Sequence, residues 1–201
     1  MELLRNTEKE IYGPRVYIFN LPAPATCRPT AWCLIHCPAL EDKVGSVFEH
    51  VGPEKLIISR KKEFAELMIR EIKRKKIRFV KLHSSGDFYS QAYVRKWKKI
   101  GEACPETMFK TSTKRLEFLD DLIDLNGLPN FVVRETVDPS KPKPDTNLPL
   151  SAIKTLPIAK NFFECIRNCD KCGFYCWYHK INESMSVFSH RQWKEKNNFN
   201  F

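Results

Sequence analysis

No stretch of this 201-residue chain approaches the ~18 consecutive apolar residues that a membrane-spanning helix needs, and Met1 to Tyr12 is too charged for a secretory signal. Glycine is scarce, with 7 in the chain, and no glycine-rich loop of the kind that cradles phosphates is among them. There is no internal repeat, which excludes a solenoid or a propeller. No pairing of a nucleophile with a base marks a hydrolase. These absences predict a soluble, cytoplasmic protein with no membrane partner, whose chemistry has to come from other residues.

Hydrophobic residues make up 42% of the chain and aromatics 12%, a folded composition rather than a disordered or collagen-like one. A chain of this length buries roughly 70% of its unfolded surface, so it needs neither metal nor disulfide merely to fold. Its 8 cysteines are therefore surplus to folding. A reducing cytoplasm discourages structural disulfides and leaves metal binding or catalysis as the usual reason for clustered thiols. Cys27, Cys33 and Cys37 form one group, and Cys165, Cys169, Cys172 and Cys176 form another. Cys104, in Ala103-Cys104-Pro105, reads as a small buried hydrophobe.

Between the two groups the periodicity alternates. Val16 to Asn20 is β-branched and aromatic, and Pro22, Pro24 and Pro29 stop it, so a strand feeds a cysteine loop. Lys55 to Ser59 reads as a second strand. Phe64, Leu67, Met68 and Ile72 recur at helical spacing over Lys61 to Lys75. Ile77 to His83 is a strand left through the turn Ser84-Ser85-Gly86-Asp87. Ser90 to Ala103 is a helix with Tyr93, Trp97 and Ile100 on one face. Met108 to Ser112 (strand), Leu116 to Leu125 (helix) and Phe131 to Glu135 (strand) follow, with Asn126-Gly127 closing the helix. This alternation predicts an α/β fold, either a partial (βα) barrel or an open parallel sheet, with a cysteine-rich C-terminal extension. Functional groups are expected at the carboxyl ends of the strands, which places the cysteine loop and the Ser-Gly-Asp turn together. The expected organisation is an α/β core over 1–137, a Pro/Lys-rich linker over 138–150 and the extension over 151–201. The extension begins with a short strand around Thr155 to Ile158 and ends in a polar tail, Asn197 to Phe201.

Cys27-x5-Cys33-x3-Cys37 offers three thiolates, and Cys165-x3-Cys169-x2-Cys172-x3-Cys176 offers four. Thiolates select zinc or iron–sulfur clusters, and both want four donors. Zinc sites usually join cysteine pairs across a longer gap, whereas each group here comes from one short loop. A cubane several ångströms across takes spaced thiolates more readily, so one or two [4Fe–4S] clusters are favoured and zinc is the alternative. Four cysteines saturate a cluster, while three leave one iron open to an outside ligand. Each group also admits a purely structural reading, as a metal staple, and the two groups could share one site. His36 and His179 stand near the cysteine groups as candidate extra ligands.

The strand and cysteine loop, then Lys81-Leu82-His83-Ser84-Ser85-Gly86-Asp87-Phe88-Tyr89-Ser90, then Tyr93, Trp97, Ile100, Pro105, Thr113-Lys114 and the terminal Cys176-Trp177, form an ordered pattern. In this the chain is similar to the phage "gene product 88" family, from viruses and mobile elements, over roughly Phe19 to Trp177. A viral origin would put it in the host cell cytoplasm. That family in turn resembles a reduced radical S-adenosylmethionine enzyme, with a three-cysteine cluster loop after its first strand. The resemblance implies that Ser85, Gly86 and Asp87 form the turn that contacts the cofactor's methionine amino group, Asp87 being its acidic partner. Those enzymes space their cysteines x3 then x2; this loop has x5 then x3. Read from the residues alone, Gly86 permits a tight turn, Asp87 or Ser90 caps the next helix, and His83 alternates away from Leu82.

The formal charge is +10. Arg60 to Lys62, Lys73 to Lys76 and Arg95 to Lys99 carry much of the excess on helix faces, where they are either solvated surface or contacts to nucleic acid. The competing function is a non-catalytic, metal-stabilised module that binds nucleic acid or a host protein. Nothing in the sequence sets a substrate or an oligomeric state.

Overall fold

The computed structural model describes residues 2–7, 12–37, 39, 51–141 and 143–185. The tail Asn197 to Phe201 lies outside them. Eight strands form one sheet: β1 (Arg5–Asn6), β2 (Val16–Phe19), β3 (Phe79–Leu82), β4 (Met108–Thr113), β5 (Phe131–Thr136), β6 (Leu150–Ile153), β7 (Phe163–Glu164) and β8 (Glu183–Met185), in the order β1-β2-β3-β4-β5-β6-β8-β7. β1 runs antiparallel to β2, and every other pairing is parallel. The sheet stays open and does not close into a barrel. No helix among the described residues is long and apolar enough to cross a membrane.

From β2 to β6 neighbours in space are neighbours in sequence, so each crossover moves one strand further in the same direction. With crossovers of one hand, the helices must then fall on one face. They do: α3 (Phe64–Lys75) packs on α4 (Gln91–Ala103), and α4 packs on α5 (Leu119–Gly127). Phe64, Met68, Ile72, Tyr93, Val94, Trp97, Ile100, Leu122 and Leu125 line that interface and meet Phe19, Val80, Leu82, Phe109, Phe131 and Val133 from the strands. The period-2 alternation of the strands sends Val16, Phe79 and Met108 to the other face. There they meet Cys169, Phe174, Cys176 and Trp177, partly on the short helix α6 (Tyr175–Tyr178).

Two expected strands are corrected. Lys55 to Ser59 lies inside a helix, α2 (Pro53–Arg60), begun by Pro53 in its first turn. Its apolar run is too short for period to separate strand from helix, and Ile57, which a buried strand would cover, is 57% exposed. Thr155 to Ile158 is not a strand either. The pairing residues are Leu150 to Ile153, and Pro157 starts a 3-10 turn over Pro157–Asn161. The Pro/Lys-rich connection is pinned to the core: the Glu135 carboxylate accepts from the backbone of Asp145 and Thr146 and from the Thr146 hydroxyl, and Leu148 is buried. Beyond it, β6, β8 and β7 continue the same sheet. Cys104 is buried in the helix-side core, as expected of a small hydrophobe.

Trp97 is fully buried and touches the rings of Phe19, Phe64, Tyr93 and Phe109. Trp97→Ala should cost roughly 3–5 kcal/mol, read as a lowered urea midpoint with an unchanged slope. A loss below 1 kcal/mol would contradict this packing.

Candidate functional site

The strands β2, β3, β4 and β5 end together, and the loops leaving them are stitched to one another. The Ser85 backbone N–H donates to Asn20 Oδ1 (3.2 Å), its hydroxyl donates to the Leu21 carbonyl (3.0 Å), and its carbonyl accepts from the Leu21 N–H (3.0 Å). The Asp87 N–H donates to Thr26 Oγ1 (3.1 Å). Gly86 sits between, with φ +79°, where a Cβ would lie 2.6 Å from the Leu21 carbonyl oxygen. The close approach and the left-handed backbone both demand glycine. Asp87 does not cap α4; Ser90 does, its Oγ accepting from the Tyr93 N–H. The Asp87 carboxylate instead accepts from the Phe88 N–H (2.7 Å), the Thr113 hydroxyl (2.6 Å) and the Lys114 N–H (3.0 Å), tying β3 to the end of β4. Arg115 completes the seam by donating to the Thr26 carbonyl (2.6 Å).

Over this seam lies a pocket of about 170 Å³ lined by Cys27, Cys33, Cys37, Gly86, Asp87, Ser112, Lys114 and Thr136, among others. The three loop cysteines and the Gly86-Asp87 turn thus face one space at the carboxyl ends of the strands. Ser85 anchors the turn from below and does not line the pocket. Cys33 is on the short helix α1 (Ala31–His36), capped by the Thr30 hydroxyl. Lys114 Nζ donates to Cys33 Sγ (2.9 Å) and to Asp138 Oδ2 (2.7 Å) and lies 5.9 Å from the Trp32 ring centroid. Burial raises the Cys33 thiol, but the Lys114 ammonium and the Thr30 cap outweigh it and leave the thiol below its usual range. Cys27 goes the other way, pushed up to about 12 by burial and by neighbouring Asp87, Cys37 and Cys33. Burial holds Asp87 up to about 6 against its hydrogen bonds.

The second group lies elsewhere on the sheet, over the amino-end residues Val16, Phe79 and Met108. Cys169 and Cys176 are buried, while Cys165 and Cys172 are partly exposed. Cys172 Sγ turns to the Cys169 carbonyl. Under them the sheet carries charge: Lys81 on β3, Lys110 on β4, Arg134 on β5 and Glu183 on β8, all buried. Lys110 Nζ donates to Cys176 Sγ (3.0 Å) and to the Glu183 carboxylate. Burial and the adjacent Lys110 push Lys81 down to about 8. These four residues were not singled out from the sequence, where a lysine alternating with apolar residues reads as a solvated strand face. His36 lies tilted against Trp32 (ring centroids 4.7 Å) and His179 against Tyr175 (4.4 Å). Among the described residues, no three His, Cys, Asp or Glu side chains are gathered tightly enough to hold a single metal ion. The thiols of the first group line a pocket rather than converge on a point.

The basic block on α4 is engaged within the chain. Arg95, Lys98 and Lys99 pair with Asp121, Asp124 and Glu66. Lys96 Nζ donates to the carbonyls of Ser59, Arg60 and Lys61 and closes the end of α2.

Fold and pocket define a mostly parallel α/β protein wound in one direction, with a cysteine-lined pocket at the carboxyl ends of its strands. The chain belongs to the phage Gene product 88 family, which matches residues 2–155. The matched span takes in the first cysteine group and the Ser85-Gly86-Asp87 turn and ends before Cys165. No curated protein and no solved structure matches the chain.

Gly86→Ala should lose at least ~1–2 kcal/mol from the left-handed backbone alone, with more from the overlap with Leu21, seen as a lower melting temperature. A second expectation concerns His83. Its φ of +57° turns it back to the helix side, where Nε2 pairs with the Tyr93 hydroxyl (3.0 Å) and Phe88 meets its ring edge to face. Burial, with Lys81, depresses it to about 3. Its contribution to stability is therefore present above the unfolded value near 6.5 and lost as pH falls from there toward 3. His83→Asn, which tolerates the same backbone, should show a shallower fall in stability across that window; an identical slope would refute the assignment.

Proposed function

We propose that this chain is an iron–sulfur protein in which Cys27, Cys33 and Cys37 hold an open [4Fe–4S] cluster, acting as a radical-type enzyme on S-adenosylmethionine. Cys165, Cys169, Cys172 and Cys176 hold an auxiliary centre. The observation that carries this reading is the shared pocket: three thiols, an acidic turn and a lysine face one space at the strand ends. Three thiols spread around a pocket suit a cubane better than a single small ion. A cluster held by three thiolates supplies an iron with one coordination position free for a bound ligand.

The chain's own residues have definite tasks in this reading. Lys114 offsets the negative charge of the Cys33 thiolate and is itself oriented by Asp138. Asp87 offers about four acceptor sites, of which Phe88, Thr113 and Lys114 occupy three. The remaining one is available to an ammonium in the pocket. Gly86 lets the turn approach the loop closely enough for both to share the space. Pro24 and Pro29 wall that space on the loop side.

Anaerobically prepared protein should be brown and contain about eight iron and about eight sulfide per chain for two cubanes. S-adenosylmethionine added to the reduced protein should alter the cluster's EPR spectrum and release 5′-deoxyadenosine. Cys33→Ala should abolish that response with little loss of melting temperature, whereas Cys172→Ala should lower the melting temperature sharply. Zinc without sulfide would overturn the reading and leave a metal-stabilised binding module. Iron and sulfide with no response to S-adenosylmethionine would overturn its radical part alone.

A further inference from the structure

The helix layer treats its basic residues unequally. On α4 they are answered: Arg95, Lys98 and Lys99 meet carboxylates, and Lys96 donates to backbone carbonyls. On α3, Lys75 is held by Glu2 and Glu71. Its neighbours are not. Arg70, Lys73, Arg74 and Lys76 are exposed, and among the described residues none of them forms an ion pair or a side-chain hydrogen bond. Arg70 stands three and four residues before Lys73 and Arg74, so the three side chains share one face and repel one another. Lys76 follows at the end of the helix in left-handed backbone. The carboxylates of α3 do not offset them. Glu66, in the first turn, pairs with Lys99, and Glu71 is buried, accepting from the backbone of Leu3 and Leu4.

A helix end attracts cations, and this accounts for part of the run. It does not account for Arg70, which lies more than a turn from the end, where that field has faded. Nor does this fold require basic helix ends, since α4 and α5 close with no basic residue in the last turn. The partner follows from shape and chemistry. Arg70 to Lys76 cover about 9 Å along the axis, on the convex outer side of the helix, and they do not line the pocket at the strand ends. A small anion needs a concave site. A ridge of cations suits a polyanion with charges as densely spaced as those of a nucleic-acid backbone, and each arginine can grip a phosphate through two N–H groups. A membrane surface fits less well, because helices that lie on lipid sink an apolar face into it. The apolar face of α3, with Phe64, Met68 and Ile72, is buried in the core. We propose that the outer face of α3 is a nucleic-acid contact in which Arg70, Lys73, Arg74 and Lys76 hold backbone phosphates without reading bases. It goes beyond the cluster reading and does not rest on it, since no cysteine takes part.

The test measures fluorescence anisotropy of two labelled DNA duplexes of unrelated sequence with the full chain. Both should bind alike. Four phosphate contacts predict that log K falls against log salt with a slope of about −4, roughly a hundredfold loss between 50 and 200 mM. Arg70→Gln, Lys73→Gln and Arg74→Gln together should flatten the slope to about −1. Arg95→Gln, Lys98→Gln and Lys99→Gln together remove the same three charges from α4 and should leave it unchanged. Arg70→Glu separates binding from folding: it sets an acid three and four residues before Lys73 and Arg74, which favours the helix, so it should weaken DNA binding without lowering the melting temperature. No binding at the lower salt, a slope that the α3 variant does not move, or equal losses from the two triple variants overturns the proposal. Retention on phosphatidylserine vesicles in place of DNA overturns it in favour of a membrane contact.

Discussion

The contact on which the site depends is the one between the Ser85–Asp87 turn and the segment from Asn20 to Thr26. It binds a loop that leaves β2 to a loop that leaves β3, and the Asp87 carboxylate extends the same seam to the end of β4. The cysteine loop has one six-residue helix and little burial of its own. Without the seam it would have no fixed position over the strand ends. Gly86 is the residue that lets the two backbones come this close, and with Asp87 it both holds the seam and lines the pocket.

The sheet itself divides the labour. On one face aromatic and aliphatic side chains interlock with α3, α4 and α5 and supply stability in the ordinary way, by burial. The other face begins apolar at the amino ends, with Val16, Phe79 and Met108, and becomes charged further along, with Lys81, Lys110 and Arg134. The two cysteine groups occupy different regions of this framework, one over the strand ends and one over the charged face. They are therefore two places with different electrostatics: Lys114 and Arg28 line the pocket of the first, whereas Lys81, Lys110 and Arg134 lie buried under the second.

Much of this was legible in the sequence where period carried the information. Phe64, Met68 and Ile72, and Tyr93, Trp97 and Ile100, repeat at the helical interval and do face the core. Placing the cysteine loop and the Gly86-Asp87 turn together followed from the rule that loops meet at the carboxyl ends of parallel strands. Lys55 to Ser59 was misread because five residues hold too little period to distinguish helix from strand. His83 escaped because alternation assumes extended backbone, and a left-handed residue breaks it. Lys81, Lys110 and Arg134 were invisible for a different reason. A charged residue on a strand reads as exposed, and what buries these three is a segment some thirty to a hundred residues further along the chain, a distance no local pattern spans.

Because α3, α4 and α5 share one side of the sheet, the opposite side is roofed largely by residues from beyond position 155, outside the span that matches the family. A fragment cut at that point would bare an oily strip at Val16, Phe79 and Met108 next to cations stripped of Glu183, and β6 would become an open edge ready to pair with another chain.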